Sequence, residues 1–313
     1  MIMKMKNNIK LSVVILSYNT KDVLCRCLEA LFKSKGIKNY QVIVVDNGSK
    51  DGSIETIQNS KIKNQSASWR IKLKIIQNKK NLGFARGNNS AREYCSGEYV
   101  LFLNSDVILP PETIEKTLTY MGKNPDVGAL SCRLVLPNGK LDQDARRSFP
   151  TPFVALAHFA KLDRLFPESK LFARYWCGYV PEDKIQEVDV IQGAYFLTPK
   201  KVLDEVGWFD KDYFLDGEDI DLCWKIKEKG LKIIYYPEVS AIHLKGVSKK
   251  KGRSDKRDFA ERKKFILEGV RSMEIFYKKR LKNRYPVFLS ALVILAIKTV
   301  AFFRILRLKV FGN

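Results

Sequence analysis

The sequence predicts an α/β protein with a mostly parallel sheet and helices on both of its faces. Apolar, β-branched runs of strand length alternate with amphipathic runs at helical spacing, and each strand-like run ends in polar residues. A length of 313 residues is sufficient for a full hydrophobic core. Because ligands bind at the carboxyl ends of the strands in such sheets, we expect a site at those polar ends.

The first half of the chain repeats a strand, a polar loop and a helix. Leu11 to Ser17 is the first strand-like run, and one face of a helix follows at Val23, Cys27, Leu28, Leu31 and Phe32. Three more units are predicted in the same order: strand Gln41 to Val45 with a helix near Asp51, strand Arg70 to Ile76 with a helix near Ala85, and strand Tyr99 to Leu103 with helix Glu112 to Met121. This alternation favours parallel pairing.

The second half is less regular. After a strand at Val127 to Ser131, residues 137 to 185 are rich in Pro, Phe, Arg and Lys, and they indicate loops and short helices that could shape a substrate pocket. Order returns with strand Gly193 to Leu197 and helix Pro199 to Val206. A helix ending at Gly230 and a buried strand LKIIYY closed by Pro237 are expected next.

Four carboxylates precede the helix that ends at Gly230: Asp216, Glu218, Asp219 and Asp221. The positive end of the helix dipole favours ionised carboxylates in a first turn, which would keep one of them available as a base. The alternative is ordinary helix capping.

Polar residues at two strand ends and a late histidine are the other candidates. Asp46 could accept hydrogen bonds from a base or ribose, and Asp106 could bind a hard divalent ion, although both could instead be turn residues. His243 is one of only two histidines and could complete a metal shell. His158 has no comparable context and is interpreted as structural.

Charge and cysteine content indicate the kind of partner and the cellular compartment. Lys and Arg number 56 against 34 Asp and Glu, and 20 basic but only five acidic residues lie from Lys245 onward, which indicates an anionic partner for the tail. No nucleic-acid recognition motif accompanies this charge, so we do not expect nucleic-acid binding. The six scattered cysteines and the lack of a signal peptide favour a reduced, cytoplasmic setting.

Six motifs, in order, resemble the family 2 glycosyltransferases of the GT-A fold, and among them the rhamnosyltransferase-like group that builds bacterial surface polysaccharides. They are SVVILSYN, VIVVDNGSKDGS, NLGFARGNN, YVLFLNSD, GWFDKDYFLDGEDIDLCWK and HLKGVS, and they cover about residues 10 to 250. The resemblance implies a Rossmann-like, mixed but mostly parallel sheet, with a catalytic domain at 1–248 and a basic helical region at 249–313.

The resemblance also assigns roles to residues. Nucleotide-sugar binding would involve Ser17, Tyr18, Asn19, Asp46, Asn47, Arg86, Asn88, Asn104, Ser105 and Asp106. Asp106 and His243 would hold Mg²⁺ or Mn²⁺, and Asp219 would be the general base. Glu218 and Asp221 would orient the base or the acceptor. The family's DxD motif reads Asn104-Ser105-Asp106 here, so the first carboxylate is an amide and the site carries one negative charge fewer.

The implied activity is an inverting, hexosyltransferase-type transfer of a sugar, with rhamnose as the candidate, from a dTDP- or UDP-sugar to a lipid-linked glycan. The first alternative is a sugar nucleotidyltransferase, which would want a Gly- and basic-rich phosphate loop that Ser17-Tyr18-Asn19 does not supply. The second is an inactive family member that serves as a membrane scaffold.

The tail ends in an apolar run from Val287 to Phe303 that is broken by Lys298 and followed by Arg304, Arg307 and Lys309. Seventeen residues are short for a membrane span of about 20 apolar residues, so we expect an interfacial helix on an anionic membrane, at its cytoplasmic face. The alternative is a helix packed on the catalytic domain or in a homodimer.

Overall fold

The computed structural model describes residues 9–37, 39–59, 72–245 and 259–311. Nine strands form the main sheet, in the order β3-β2-β1-β4-β10-β6-β11-β5, with β8 paired to β11. A separate pair is formed by β7 and β9. The eleven strands are β1 Leu11–Ser17, β2 Tyr40–Asp46, β3 Lys72–Gln77, β4 Tyr99–Asn104, β5 Val107–Ile108, β6 Val127–Val135, β7 Arg146–Arg147, β8 Gln186–Glu187, β9 Val190–Ile191, β10 Tyr195–Pro199 and β11 Lys232–His243.

Ten α-helices connect these strands or follow them within the described residues. They are α1 Lys21–Phe32, α2 Ser53–Asn59, α3 Phe84–Asn89, α4 Thr113–Lys123, α5 Pro152–Phe159, α6 Leu162–Leu165, α7 Lys200–Val206, α8 Glu218–Glu228, α9 Phe259–Phe276 and α10 Val287–Phe311. The predicted α/β class and helix order are confirmed. Arg70 and Ile71, where the third strand was expected to begin, lie outside the described residues, as does the boundary expected at 248.

The sheet is mixed, as expected. Strands β3, β2, β1 and β4 are parallel neighbours, and β6 is parallel to β11. Strand β10 is antiparallel to both β4 and β6, because the chain returns to the middle of the sheet after its excursion through residues 136–194. The residues of β1 and β2 are buried almost without exception, as is typical of central strands covered on both faces.

The prediction that Pro237 ends its strand is wrong. Strand β11 continues through Pro237 to His243, and its register against β6 shifts between Tyr236 and Ser240. A bulge of this kind accommodates proline, which has no N–H to donate to the ladder. The continuation matters because it pairs His243 with Val107 of the short strand β5, directly beside Asp106.

Helix α8 begins and ends where the sequence indicates. Gly217 at its N-cap has a φ of +92°, and a side chain there would press on the Tyr213 ring. Gly230 has a φ of +75° after the last turn, so it stops the helix as expected. Seven residues of α8 are buried, including Glu218, Asp219 and Asp221.

The C-terminal helices pack on α8. Phe276 at the end of α9 lies edge-on to Trp224 of α8, with ring centroids 5.7 Å apart. A π-helical turn, Tyr277–Leu281, then leads towards α10. Within the described residues α10 contains the one helix segment long and apolar enough to cross a membrane, Val287–Val310, and only 11% of its most apolar window is buried. The helix is therefore longer than the expected run, which ended at Phe303.

Candidate active site

The carboxyl ends of three neighbouring strands meet at one edge of the sheet. Ser17 of β1 pairs with Asp46 of β2, and Leu16 pairs with Asn104 of β4. The loops that follow these strands are joined by side chains: the Asn19 amide donates to Ser49 Oγ (2.9 Å), and the Lys50 amide donates to Asn19 Oδ1 (2.8 Å). The polar residues predicted at strand ends therefore lie on a common rim.

Asp46 is the buried carboxylate at the β2 side of this rim. Its Oδ2 accepts a hydrogen bond from the Ser49 amide (3.2 Å), whereas Oδ1 is buried and has no hydrogen-bond partner among the described residues. Asp46 also lines a cavity of about 160 Å³ together with Lys50, Gly52 and Gln77. A buried carboxylate oxygen without a donor is costly, so this one is suited to accept a hydrogen bond from a ligand.

Several of the predicted binding residues instead hold the rim together. Thr20 Oγ1 bonds both Ser17 Oγ (2.9 Å) and Ser105 Oγ (3.0 Å), so these two buried hydroxyls join β1 to the end of β4. Tyr18 is the exposed member of the first loop, at 37% exposure. Of these residues, Tyr18 has the side chain most accessible to a ligand.

Asn47 does not fit its predicted role in nucleotide-sugar binding. Its Nδ2 donates to Asn81 Oδ1 (3.0 Å) and to the Gly83 carbonyl (3.1 Å). Its Oδ1 accepts from Asn78 Nδ2 and from the Leu82 amide, both at 3.1 Å. Because both donors and both lone pairs are used within the protein, Asn47 positions the loop before α3 rather than offering groups to a ligand.

Helix α3 joins the β2 side of the rim to the segment before α8. Arg86 is exposed, and its Nε donates to the Lys211 carbonyl (2.8 Å). Asn88 is buried, and its Nδ2 donates to the Phe84 carbonyl (3.0 Å). Asn89, which the sequence did not single out, donates to the Phe209 carbonyl (2.8 Å) and accepts from the Phe209 amide (3.3 Å). Helix α3 thus fixes how the loop 207–217 is placed.

Asp106 and His243 face each other at the far side of the rim. His243 Nε2 lies 3.4 Å from Asp106 Oδ1, and both side chains are almost fully buried. The other ring nitrogen, Nδ1, bonds Asp142 Oδ2 (2.7 Å). Burial lowers the pKa of His243, but the two carboxylates outweigh it and raise that pKa to about 9. Without a bound cation the imidazole is therefore charged at neutral pH, and a metal ion at Nε2 would have to displace the proton from that nitrogen.

Asp219 lies in the first turn of α8 and is bound to an arginine. Arg147 Nη2 donates to Asp219 Oδ2 (2.6 Å), and each side chain is only 10% exposed. Burial by itself would lower the pKa of Arg147. The adjacent Asp219 and Tyr175 outweigh burial and raise this pKa above its usual value, so the guanidinium stays charged. The Gly193 amide also approaches Asp219 Oδ2, at 3.4 Å.

The two halves of the rim are connected through two short segments. Asp142 contacts His243, and Arg147, five residues later, contacts Asp219. Gly193 contacts Asp219, and the carbonyl of the next residue, Ala194, accepts from the Asn104 amide (3.0 Å). The acidic helix start is therefore linked to the end of β4 through Gly193 and Ala194, and to the imidazole through residues 142–147.

Asp142 and Arg147 were not found from the sequence. They lie in LDQDARRSF, within the stretch that showed no clear periodicity. The sequence shows a dense run of opposite charges next to apolar residues. Such a run is typical of a surface loop, and it is buried only where residues distant in the sequence supply charged partners. Here Asp142, Arg146 and Arg147 are all buried.

Asp221 does not orient the base as expected. Its carboxylate is fully buried and receives bonds from Arg280, at 2.7 Å from Nε and 3.1 Å from Nη2. Residues two apart on an α-helix do not share a face, which separates Asp221 from Asp219. Glu218 is buried at the helix start.

Comparison with known proteins decides the family. The model of glycosyl transferase family 2 matches residues 12–179, and that of glycosyl transferase family group 2 matches residues 99–309. Each covers more than half of the chain. The chain belongs to the family 2 glycosyltransferases.

Curated relatives of this glycosyltransferase include two rhamnosyltransferases. The N-acetylglucosaminyl-diphospho-decaprenol L-rhamnosyltransferase of Mycobacterium tuberculosis is 26% identical over 76% of this chain and 77% of its own length. Rhamnosyltransferase WbbL of Escherichia coli K12 is 24% identical over 74% of this chain and 82% of its own length. Relatives from Haemophilus influenzae and Sinorhizobium fredii are matched over only 38% and 25% of their own lengths.

The fold is that of known GT-A glycosyltransferases. The mannosyltransferase PcManGT from Pyrobaculum calidifontis, solved in complex with GDP-Man and Mn²⁺, superposes with a TM-score of 0.58 at 18% identity. The alignment covers 94% of this chain and 70% of that chain. The predicted family and fold are thereby confirmed.

The glycosyltransferase offers few protein ligands for a metal ion. Among the described residues no group of three or more His, Cys, Asp and Glu side chains is disposed to hold one. Asp106 Oδ1 and His243 Nε2 give two adjoining donor atoms. Mg²⁺ is commonly held by one or two carboxylates together with substrate phosphates and water, and histidine also suits Mn²⁺. The two residues therefore fit a cation shared with a diphosphate, provided that the cation displaces the Nε2 proton of His243, and Asn104 adds no carboxylate to the site.

Proposed function

We propose that this glycosyltransferase is an inverting hexosyltransferase that moves a sugar of the rhamnose class from a dTDP- or UDP-sugar to a hydroxyl of a lipid-linked glycan. The two rhamnosyltransferase relatives support the sugar class, and the name of the mycobacterial relative supports a lipid diphosphate acceptor. The observation that carries the proposal is the single rim that holds Asp46, the Asp106–His243 contact and the Arg147–Asp219 pair.

The donor nucleotide is assigned to the Asp46 side of the rim. The unpartnered Oδ1 of Asp46 accepts the imino N–H that uracil and thymine both carry. Asp106 and His243 would hold Mg²⁺ or Mn²⁺ beside the diphosphate, and this cation supplies neutralisation of the negative charge that develops on the leaving group. Arg86, exposed on α3, is placed to contact the donor.

Asp219 acts as the general base in this proposal. Arg147 and the Gly193 amide hold its Oδ2, so the carboxylate is held in one orientation. Asp219 takes the proton of an acceptor hydroxyl as that oxygen attacks the anomeric carbon, and the bond to the nucleoside diphosphate breaks. General-base catalysis of this kind typically contributes ~10²–10⁴ in rate. One direct displacement inverts the anomeric configuration and requires no covalent enzyme intermediate.

Membrane association at the cytoplasmic face completes the proposal. Helix α10 exposes Phe288, Leu292, Leu295, Phe302, Phe303 and Leu306, and basic residues surround it. Exposed apolar area of this extent on a basic helix is typical of a contact with anionic lipid. A membrane-associated enzyme would meet a lipid-linked acceptor in the plane of the bilayer.

The test is release of nucleoside diphosphate from a panel of nucleotide sugars with Mn²⁺, for the unaltered protein and for Asp219→Asn. We expect release with a dTDP- or UDP-sugar, and a loss of at least ~10²-fold in Asp219→Asn with nucleotide binding retained. Asp212→Asn is the control, because its carboxylate is exposed and forms its ion pair, within the described part of the chain, with Lys279.

Three results would contradict the proposal. Turnover of Asp219→Asn within a few-fold of normal would exclude this base. Release of pyrophosphate would identify a sugar nucleotidyltransferase, and a lack of release with every donor would favour the inactive scaffold.

A further inference from the structure

Helices α5 and α6 expose an apolar surface next to the active site. We propose that this surface is a second lipid contact, separate from α10, and that it places the acceptor side of the site against the anionic membrane. The inference rests on the proposed function in one respect, which is that the acceptor is lipid-linked. The surface, called here the α5–α6 surface, consists of Phe153, Leu156, Phe159, Leu165, Phe166 and Leu171.

Helix α5 is apolar on both of its sides. Val154 and Ala157 are buried against the protein, while Phe153, Leu156 and Phe159 recur every third residue on the opposite side and are exposed. A helix that is hydrophobic all round is normally covered on all sides. Since the protein covers only one side of α5, an apolar environment outside the chain is expected to cover the other.

The exposed side chains form one continuous surface. Phe172 is half-buried between the two helices, 6.3 Å from the Phe153 ring and 5.4 Å from the Phe166 ring. Leu156 and Leu165 are among the most exposed leucines in the described residues, at 65% and 69%. Large contiguous apolar patches on a protein surface mark contacts with a membrane or another protein.

The charges around this surface favour an anionic membrane over a second copy of the chain. Four bases, Lys161, Arg164, Lys170 and Arg174, are exposed in the same segment, against one exposed acid, Glu168. The other acid, Asp163, is buried against His158 Nδ1 (2.6 Å). Two copies would bring eight bases together, whereas long basic side chains next to apolar residues can reach lipid phosphates.

The position of the surface agrees with that of α10. Phe149, three residues before α5, packs on Trp224 (4.6 Å) and lies 6.3 Å from Phe276, the last residue of α9. The segment that leads into the α5–α6 surface and the segment that leads towards α10 therefore start from the same side-chain cluster. Phe149 and Phe276 thus both pack on Trp224 of helix α8.

The inner side of the same segment faces the proposed base. The Ser148 amide donates to the Tyr175 carbonyl (3.0 Å). Burial lowers the pKa of the Arg147 guanidinium, and Tyr175 lies close enough to Arg147 to raise it. Arg147 in turn holds Asp219. A membrane against the α5–α6 surface would thus bring the headgroup of a lipid-linked acceptor to the acceptor side of the site.

The experiment measures tryptophan quenching by lipids with brominated acyl chains. Leu156→Trp and Leu165→Trp place a reporter on the surface, and Tyr94→Trp is the control because Tyr94 is exposed to 43% on the nucleotide half. Full-length protein is bound to vesicles of equal parts phosphatidylcholine and phosphatidylglycerol, and the signal of the unsubstituted protein is subtracted. We expect the two surface reporters to lose at least about twice as much fluorescence as the control, because bromine quenches only within the apolar layer.

Quenching of both reporters no greater than that of Tyr94→Trp would overturn the proposal. So would a blue shift of the Leu156→Trp emission that depends on protein concentration without bromine quenching, since that indicates a protein dimer. Vesicles of phosphatidylcholine alone should weaken the quenching, because the four bases then lose their partners. The outcome is independent of catalysis: release of nucleoside diphosphate tests the proposed function, and quenching tests the surface.

Discussion

At the scale of single residues, the buried pair of Arg147 and Asp219 has the largest consequences for activity. Both side chains are only 10% exposed, so removal of either one leaves a charge in a poorly solvated place. We expect Arg147→Ala to destabilise the fold by about 3–5 kcal/mol, the usual effect of breaking a buried pair from one side. Transfer should fall by ~10²-fold, because the carboxylate loses its orientation.

Urea unfolding and single-turnover transfer measure these two effects. Arg147→Lys is the matched variant, since it keeps the charge but has a single ammonium in place of the planar fork. We expect it to recover most of the stability and little of the transfer. Full transfer by Arg147→Ala would show that Asp219 needs no orientation.

Asp142 is the residue that holds the proposed metal ligand His243. It accepts from His243 Nδ1 (2.7 Å) and also from Lys245. Partners of this kind fix the ring of a metal-binding histidine, and their loss typically costs 10–100-fold in metal affinity. We expect Asp142→Asn to weaken Mn²⁺ binding by about that factor, measured by electron paramagnetic resonance with UDP present.

Asp144→Asn is the control for this variant. Asp144 bonds the same Lys245 (2.6 Å) but does not contact His243 in any described interaction. Its Mn²⁺ affinity should stay within about two-fold of normal, as expected for an exposed pair. Equal losses in both variants would assign the effect to Lys245 rather than to His243.

The sequence could place the strand-end residues but not their partners. Asp46, Asp106 and His243 end or follow apolar strands, and the alternation of strands with helices orders those ends along one edge. Arg147 is 72 residues from Asp219, and Asp142 is 101 residues from His243. Contacts at such separation leave no periodicity in the sequence, so buried and exposed charges look alike there.

At the scale of elements, helix α8 carries two acids with opposite tasks. Asp219 belongs to the active-site rim, whereas Asp221 is bound on the other side of α8 by Arg280 from the turn before α10. The sequence grouped the two acids because they are close along the chain. Their separation follows from the helical repeat, which sends residues two apart to different faces.

The Arg280–Asp221 pair should be the main polar contact that holds the C-terminal helices on α8. Asp221 is fully buried, so we expect Arg280→Ala to cost about 3 kcal/mol or more in the free energy of unfolding. The double variant Arg280→Met with Asp221→Asn should cost less, because the buried charge of Asp221 is removed together with that of Arg280, although Lys225, 3.9 Å from the Asp221 carboxylate, then loses a charged partner. Denaturant unfolding of Arg280→Met, of Asp221→Asn and of the double variant gives the coupling energy.

Lys279→Ala is the neighbouring control. Lys279 contacts Asp210 and Asp212 and is 35% exposed, so its removal should cost at most about 1 kcal/mol. Equal costs for Lys279→Ala and Arg280→Ala would show that the buried pair has no special role.

At the scale of the whole molecule, many of the excess basic residues lie next to apolar surfaces. The chain carries a formal charge of +22, and its bases accompany both α10 and the α5–α6 surface. The rim that contains Asp46, Asp106 and Asp219 carries most of the buried acids discussed above. The proposed membrane-facing side and the proposed ligand-binding rim thus differ in charge as well as in hydrophobicity, and this difference would favour one orientation on an anionic bilayer.

The expectation that the apolar tail is too short to span is corrected by the length of α10. The segment Val287–Val310 has 24 residues and would extend about 36 Å, longer than a hydrocarbon core of about 30 Å. Lys298 lies halfway along this segment, however, so a spanning helix would place it near the centre of the bilayer. Lysine there costs about 2.5–3.5 kcal/mol, and Arg304 and Arg307 follow within three turns.

An interfacial helix avoids this cost, because Lys298 can then reach the headgroups while Phe288, Leu292 and Leu295 enter the acyl region. One side of α10 also stays on the protein: the Tyr277 hydroxyl donates to Ser290 Oγ (2.9 Å), and Ile297 is buried. We therefore expect a tag added after Asn313 to remain on the same side of the membrane as the catalytic rim. Protease treatment of sealed vesicles with the catalytic side outward should remove the tag completely. A protected tag would mean that α10 spans. Lys298→Leu should also leave the tag accessible if the helix is interfacial. If the tag becomes protected only in this variant, Lys298 is what keeps the helix at the surface.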